Sequence, residues 1–194
     1  MNIVATVQAR MGSTRLPGKV LKKVCGKPLL QYQIERIRRS RLVDQIVIAT
    51  TINPKDDEIV KLASKLGVSV YRGSEDDVLG RIVGLLQTYE VDLHVELIGD
   101  SPLTDPQIVD EIIGVYLKNA PFYDYVSNGT EVTYPAGVEV NVYPARVLIE
   151  AEKNVPADSS SREHVDIHIC KNDRYRCLCV KAPDYFHNPE IFLE

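Results

Sequence analysis

Residues 8–19 hold the densest chemistry in the chain. Arg10, Arg15 and Lys19 place three cations within ten residues, with no acid among them. Gly12 and Gly18 let backbone approach a ligand closely. Consecutive N–H groups in such a turn can form an anion nest, and Ser13 and Thr14 add hydroxyl donors. A loop of this kind suits a polyphosphate. Charge-assisted bonds are stronger than neutral ones, and arginine can grip two phosphate oxygens together. The spacing is neither G-x-x-x-x-G-K-[ST] nor G-x-G-x-x-G. The alternative is a solvated basic loop. The apolar run just before it argues against that, because it sets the loop at the carboxyl edge of a strand, where open α/β folds bind ligands.

A second candidate is Asp100, in Gly99-Asp100-Ser101-Pro102 after the apolar run 93–98. It faces the same crevice, and magnesium prefers carboxylate and phosphate oxygens. A turn-forming aspartate is the plainer alternative. Arg162, Glu163 and His164 follow the polar stretch 158–161. Arg162 suits a carboxylate, phosphate or phosphonate, and His164, with an ordinary pKa near 6.5, suits proton transfer. A capped surface helix explains the same residues equally well. Glu75 and Asp76 fit a helix N-terminus. His94, His168 and His187 have no partner pattern and read as structural. Cys25, Cys170, Cys177 and Cys179 have neither zinc nor redox spacing and are expected to be free thiols in a reduced cytoplasm.

The elements that must carry these groups alternate. Apolar runs at 3–7, 45–51, 68–71, 93–98 and 123–127 read as strands, mostly buried and parallel. Between them lie helical stripes: Leu30, Ile34 and Ile37; Ile59, Leu62, Ala63 and Leu66 closed by Gly67; Val78, Ile82, Leu85, Leu86 and Tyr89; and Val109, Ile112, Ile113 and Tyr116 behind Asp105-Pro106. The expected fold is α/β, a Rossmann-like doubly wound, mostly parallel sheet forming one domain over residues 1–194. After Asn128 the rhythm changes: strands are expected at 138–143 and, at an edge, 175–181, with helices near 147–151 and 162–170. The net charge of −4 gives no global field for nucleic acid or membrane. No run of about 20 apolar residues is present, and a cytoplasmic location is expected.

The stretch from Ala9 to Lys19 matches A-R-x-x-S-T-R-L-P-G-K and resembles the signature of the sugar-activating cytidylyltransferases, especially the spore-coat polysaccharide (SpsF-like) group, with the enzymes that activate Kdo and sialic acids as relatives. Residues 26–29, 48–51, 72–79, 99–103 and 162–165 continue the likeness in order. The resemblance implies the nucleotide-diphospho-sugar transferase type of fold. It implies that Arg10, Gly12, Ser13, Arg15 and Lys19 hold the phosphates of CTP, with Gln8 and Ala9 near the base. The segment carrying Arg72 and Asp77 would meet base and ribose, and Asp100 would bind Mg2+. Glu139 and Asn141, with Arg162 and His164, would flank an acidic acceptor. Arg15, Lys19 and Asp100 would be catalytic.

The family's second metal carboxylate comes from a late strand; here either Glu194 stands in for it or that C-terminal strand is missing. The implied reaction is attack of an acceptor oxygen on the α-phosphorus of CTP with release of pyrophosphate, in cell-surface polysaccharide biosynthesis. A homodimer is the commonest assembly for such a chain. Two rivals are a glycosyltransferase consuming a nucleotide sugar, which typically carries an Asp-x-Asp motif absent here, and a non-catalytic nucleotide-binding module.

Overall fold

The apolar run Ile-Val-Ala-Thr-Val buries itself on both faces, as a central parallel strand must. The computed structural model describes residues 1–13, 16–184 and 190. In chain order its elements are β1 (Ile3–Gln8), a hairpin of β2 (Lys23–Val24) and β3 (Lys27–Pro28), α1 (Leu29–Ile37), β4 (Gln45–Thr51), α2 (Asp57–Leu66), β5 (Ser69–Gly73), α3 (Val78–Thr88), β6 (Leu93–Ile98), α4 (Pro106–Asn119), β7 (Tyr125–Ser127), β8 (Asn141–Pro144), α5 (Ala145–Glu152), α6 (Ile167–Cys170) and β9 (Cys177–Cys179).

Seven strands form one sheet in the order β5-β4-β1-β6-β8-β7-β9. β1 pairs in parallel with β4 and β6, and β4 with β5. β8 runs antiparallel to both β6 and β7, and β9 returns parallel to β7. The sheet is therefore mostly parallel with one reversed strand among the described residues. α1, α2 and α4 cover one face through Leu30, Ile34, Ile59, Ile112 and their neighbours. α3, α5 and α6 cover the other through Leu79, Ile82, Leu148 and Ile169.

Local chemistry sets the helix ends. Asn53 caps a 3₁₀ turn (Pro54–Asp56) that leads into α2, and Gly67 at φ 62° closes α2 in the left-handed region. The Asp77 carboxylate accepts the Gly80 N–H at 2.7 Å to start α3. Asp105 accepts the Gln107 N–H at 2.8 Å to start α4.

The carboxyl-terminal half departs most from its sequence pattern. The alternating run 138–143 enters the sheet only from Asn141, although Val138 and Val140 are buried. The expected helix at 162–170 is broken into a 3₁₀ turn (Ser160–Glu163) and the short α6. Ser159 rather than Ser161 caps that turn. All four cysteines are free. No helix among the described residues is long and apolar enough to cross a membrane.

Candidate functional site

The first loop is built by two anchors. The Gly18 N–H donates to the Met11 carbonyl at 3.0 Å, and Gly18, at φ 69°, turns the chain into a 3₁₀ turn (Lys19–Leu21). Val20 buries itself there, so Lys19 beside it faces the cleft. The second anchor is Asp56, itself 2% exposed. One of its oxygens accepts the Met11 N–H at 2.8 Å, and the other takes the N–H and hydroxyl of Thr51. A carboxylate thus ties the loop after β1 to the end of β4.

The opposing wall follows β6. The Gly99 N–H donates to the Gln8 carbonyl at 2.8 Å, and a side chain at Gly99 would collide with that same oxygen. Gln33 of α1 holds the turn from behind, donating to the Ile98 carbonyl at 2.7 Å and to Thr104 Oγ1 at 3.1 Å. These bonds deliver Asp100 to Lys19, whose ammonium pairs with Asp100 Oδ2. Asp100 Oδ1 is buried and has no partner. Gln8, Ala9, Arg10, Ser13, Lys19, Val20, Val78, Arg81, Ile98, Asp100 and Glu163 line a cleft of about 280 Å³ at this rim.

Beneath the cleft runs a polar ladder unusual for a sheet covered on both faces. Gln8 Nε2 donates to Glu96 Oε1 at 2.8 Å, and the Tyr143 hydroxyl donates to Glu96 Oε2 at 2.8 Å. Burial pushes the Glu96 carboxyl up to about 8, with Asp166 adding to the effect, while bonds from Tyr143, Asn141 and Gln8 oppose it. Next along β6, His94 lies 2.7 Å from Thr6 Oγ1 and edge-on to Tyr143. Burial pulls its imidazole down to about 3. His94 is structural, in line with its lack of a partner pattern in the sequence.

Six residues expected at the site therefore meet in one cleft: Gln8, Ala9, Arg10, Ser13, Lys19 and Asp100. Gly12 lies at its edge, where an added Cβ would sit 2.7 Å from Glu75 Oε1. Arg15 and Glu194 lie outside the described residues, as do Thr14 and His187.

Other expected residues are not brought there. Arg72 turns to the Thr51 and Asn53 carbonyls at 2.8 and 3.0 Å and to Asp57 at 2.7 Å, because the start of α2 and the turn before it offer it acceptors. Arg162 is buried with its guanidinium on both Asp77 oxygens at 2.9 Å, on Glu152 at 2.7 Å and on the Val155 carbonyl at 3.0 Å. That network consumes Asp77 as well. Glu139 accepts the Gly137 N–H at 2.7 Å and Asn141 accepts the Ser127 hydroxyl at 2.7 Å, both away from the cleft lining. His164 is exposed and does not line the cleft; its neighbour Glu163 does.

Arg81 is the cleft residue that the sequence pattern passes over. It sits three residues after Val78 on the buried stripe of α3, and a cation on a buried stripe is the signal that could have found it. Asp56 and Glu96 carry comparable signals: an acid beside a helix start, and an acid inside an apolar strand.

A family model described as cytidylyltransferase matches residues 4–177. An uncharacterized protein of Methanocaldococcus jannaschii is 37% identical over 194 residues, covering all of this chain and 77% of its own length. The spore coat polysaccharide biosynthesis protein SpsF of Bacillus subtilis is 34% identical over 197 residues, covering 99% of this chain and 80% of its own. The structure of a cytidylyltransferase from Leptospira borgpetersenii superposes with a TM-score of 0.92 at 29% identity, covering 100% of this chain and 80% of that one.

Proposed function

The chain belongs to the cytidylyltransferase family, and on that premise we propose that it transfers CMP from CTP to an acidic sugar, phosphate or phosphonate acceptor with release of pyrophosphate. The reading rests above all on one juxtaposition: Lys19 from the loop after β1 and Asp100 from the turn after β6 meet in a single cleft with Arg10 and Ser13.

In this reading an acceptor oxygen forms a bond to the α-phosphorus as the bond to the bridging oxygen breaks. Arg10, Lys19 and, by its place in the motif, Arg15 hold the polyphosphate and stabilise the pyrophosphate as it leaves. Asp100 is the residue that would hold magnesium. Its unpartnered, buried Oδ1 fits that use, since Mg2+ needs only one or two carboxylates besides phosphate and water. When bound, such an ion neutralises charge on the phosphoryl oxygens. The reading includes a cytoplasmic step in cell-surface polysaccharide biosynthesis; the likeness to a spore-coat polysaccharide biosynthesis protein supports the pathway.

The test is pyrophosphate release from the four nucleoside triphosphates against a panel of acidic sugars, phosphates and phosphonates, with and without Mg2+. CTP should be preferred. Asp100→Asn and Lys19→Ala should each lower turnover by about 100-fold or more, because charge stabilisation of several kcal/mol is lost at about 1.4 kcal/mol per decade. Far-UV circular dichroism should stay unchanged. CTP binding without pyrophosphate release under every condition would leave a nucleotide-binding module instead.

A further inference from the structure

Arg81 is out of place on electrostatic grounds. It is 5% exposed, its Nε has no partner, and it lies on the wall of the cleft. Gly73 makes room for it, since a Cβ there would stand 2.7 Å from Arg81 Cγ. One terminal nitrogen donates to the Ser74 carbonyl. Among the described residues no carboxylate comes within ion-pair distance of it.

The nearest acids are already engaged. Asp77 is held by Arg162, Asp56 by Met11 and Thr51, and Glu75 by Asn53 at 2.9 Å. Burial pulls the pKa of the guanidinium below its ordinary value, and the charge of Arg10 is the next cause. Among the described residues, Arg10 makes one long bond, 3.4 Å, to the Glu75 carbonyl. Asp56, Asp77 and Glu75 offset part of the Arg81 charge from beyond ion-pair distance, so two guanidinium groups line one cleft incompletely compensated, an arrangement that an arriving anion relieves.

We propose that Arg81 is a further anion-binding guanidinium paired with Arg10 in this cleft, distinct from Lys19 and Asp100, and that it grips a phosphoryl or carboxylate group of a ligand there. The pair deepens the reading of the same site as a cytidylyltransferase centre. It also supplies the anion grip expected of Arg162, which the Asp77–Glu152 network has taken. Two sources carry the required chemistry: the phosphates of the nucleotide and the acid group of the second substrate.

Calorimetric titration of the wild type and Arg81→Gln with cytidine, with CTP, and with orthophosphate in the presence and absence of CTP separates them. Removing a single charge-assisted hydrogen bond to the anion should weaken binding about tenfold or more. A loss in the CTP arm with cytidine unchanged assigns Arg81 to the nucleotide. A loss only for orthophosphate added to the CTP complex assigns it to the second substrate. Arg81→Lys should recover part of either loss.

Equal affinities for CTP and orthophosphate in wild type and variant, with matching melting temperatures, would overturn the proposal. So would a loss for cytidine as large as that for CTP. If Arg81→Gln fails to fold, Arg81→Lys takes its place and must show a partial loss confined to one arm; wild-type affinity in every arm overturns the proposal. Wild-type protein that binds no CTP would defeat the cytidylyltransferase reading, while orthophosphate alone still tests Arg81.

Discussion

Arg162 illustrates how partners decide what a side chain does. With two carboxylates and a carbonyl around it, it is a staple between the start of α3, the end of α5 and the 3₁₀ turn that carries it. Removing it leaves Asp77 and Glu152 without their counter-charge. Asp77 remains partly open to water, so the expected cost of Arg162→Ala is about 2–3 kcal/mol, read as a lower urea midpoint. Glu96 makes a prediction of a different kind. Its carboxyl is raised from 4.5 to about 8, so between those values the unfolded chain releases a proton that the folded chain keeps. Stability from this group is therefore present at low pH and falls as pH rises from about 4.5 through 8. Melting temperatures at pH 5 and pH 8 should differ less in Glu96→Gln than in the wild type. His94 acts on the acid side. Its value is depressed from 6.5 to about 3, so its burial costs stability as pH falls below 6.5, and the two groups together favour a mildly acidic window.

Among the elements, the β2–β3 hairpin went unread because its two-residue strands carry no period, whereas the other strands and the helices up to α4 were legible: two-faced apolar runs for β1, β4 and β6, and stripes with clear caps for α2 and α4. Beyond Asn128 the signal fails for physical reasons. Val138 and Val140 are buried, but the Asn128 side chain takes their backbone bonds, accepting the Val140 N–H at 2.7 Å and donating to the Val138 carbonyl at 3.1 Å, and the Ser159–Ser161 hydroxyl contact at 2.6 Å competes with a continuous helix. The cleft was legible in its loop and its aspartate, whose residue types announce anion and metal chemistry. The partners of Arg72 and Arg162 were not legible, since they sit on other elements, at the start of α2 for Arg72 and at the start of α3 and the end of α5 for Arg162, and no sequence period links them. Gly99 shows how tightly the elements set the site. Gly99→Ala would drive a methyl into the Gln8 carbonyl and break the bond that seats the Asp100 turn. Turnover should fall about 10- to 100-fold, in keeping with the cost of small displacements of catalytic groups, while the β1–β6 ladder below Ile98 persists in hydrogen exchange.

At the scale of the whole molecule, the sheet brings its functional groups to one rim because β1, β4, β5 and β6 all point the same way. Gln8 to Arg10, Ser13 and Lys19 after β1, Asp100 after β6 and Glu163 of the 3₁₀ turn, with Val78 and Arg81 of α3, line one space. A ligand there touches several elements at once, so binding should stabilise the entire domain. CTP with Mg2+ at about 100 times its Kd should add about 2.7 kcal/mol, seen as a higher melting temperature in scanning calorimetry and absent for GTP at the same concentration. The Lys19–Asp100 pair has a corollary for how that binding proceeds. On the proposed reading, the lysine swings toward a phosphate only by baring Oδ2 of the aspartate, beside an Oδ1 that has no partner among the described residues. The contact would then work as an interlock: a nucleotide that draws the lysine away leaves both carboxylate oxygens to a cation, so each ligand favours the arrival of the other.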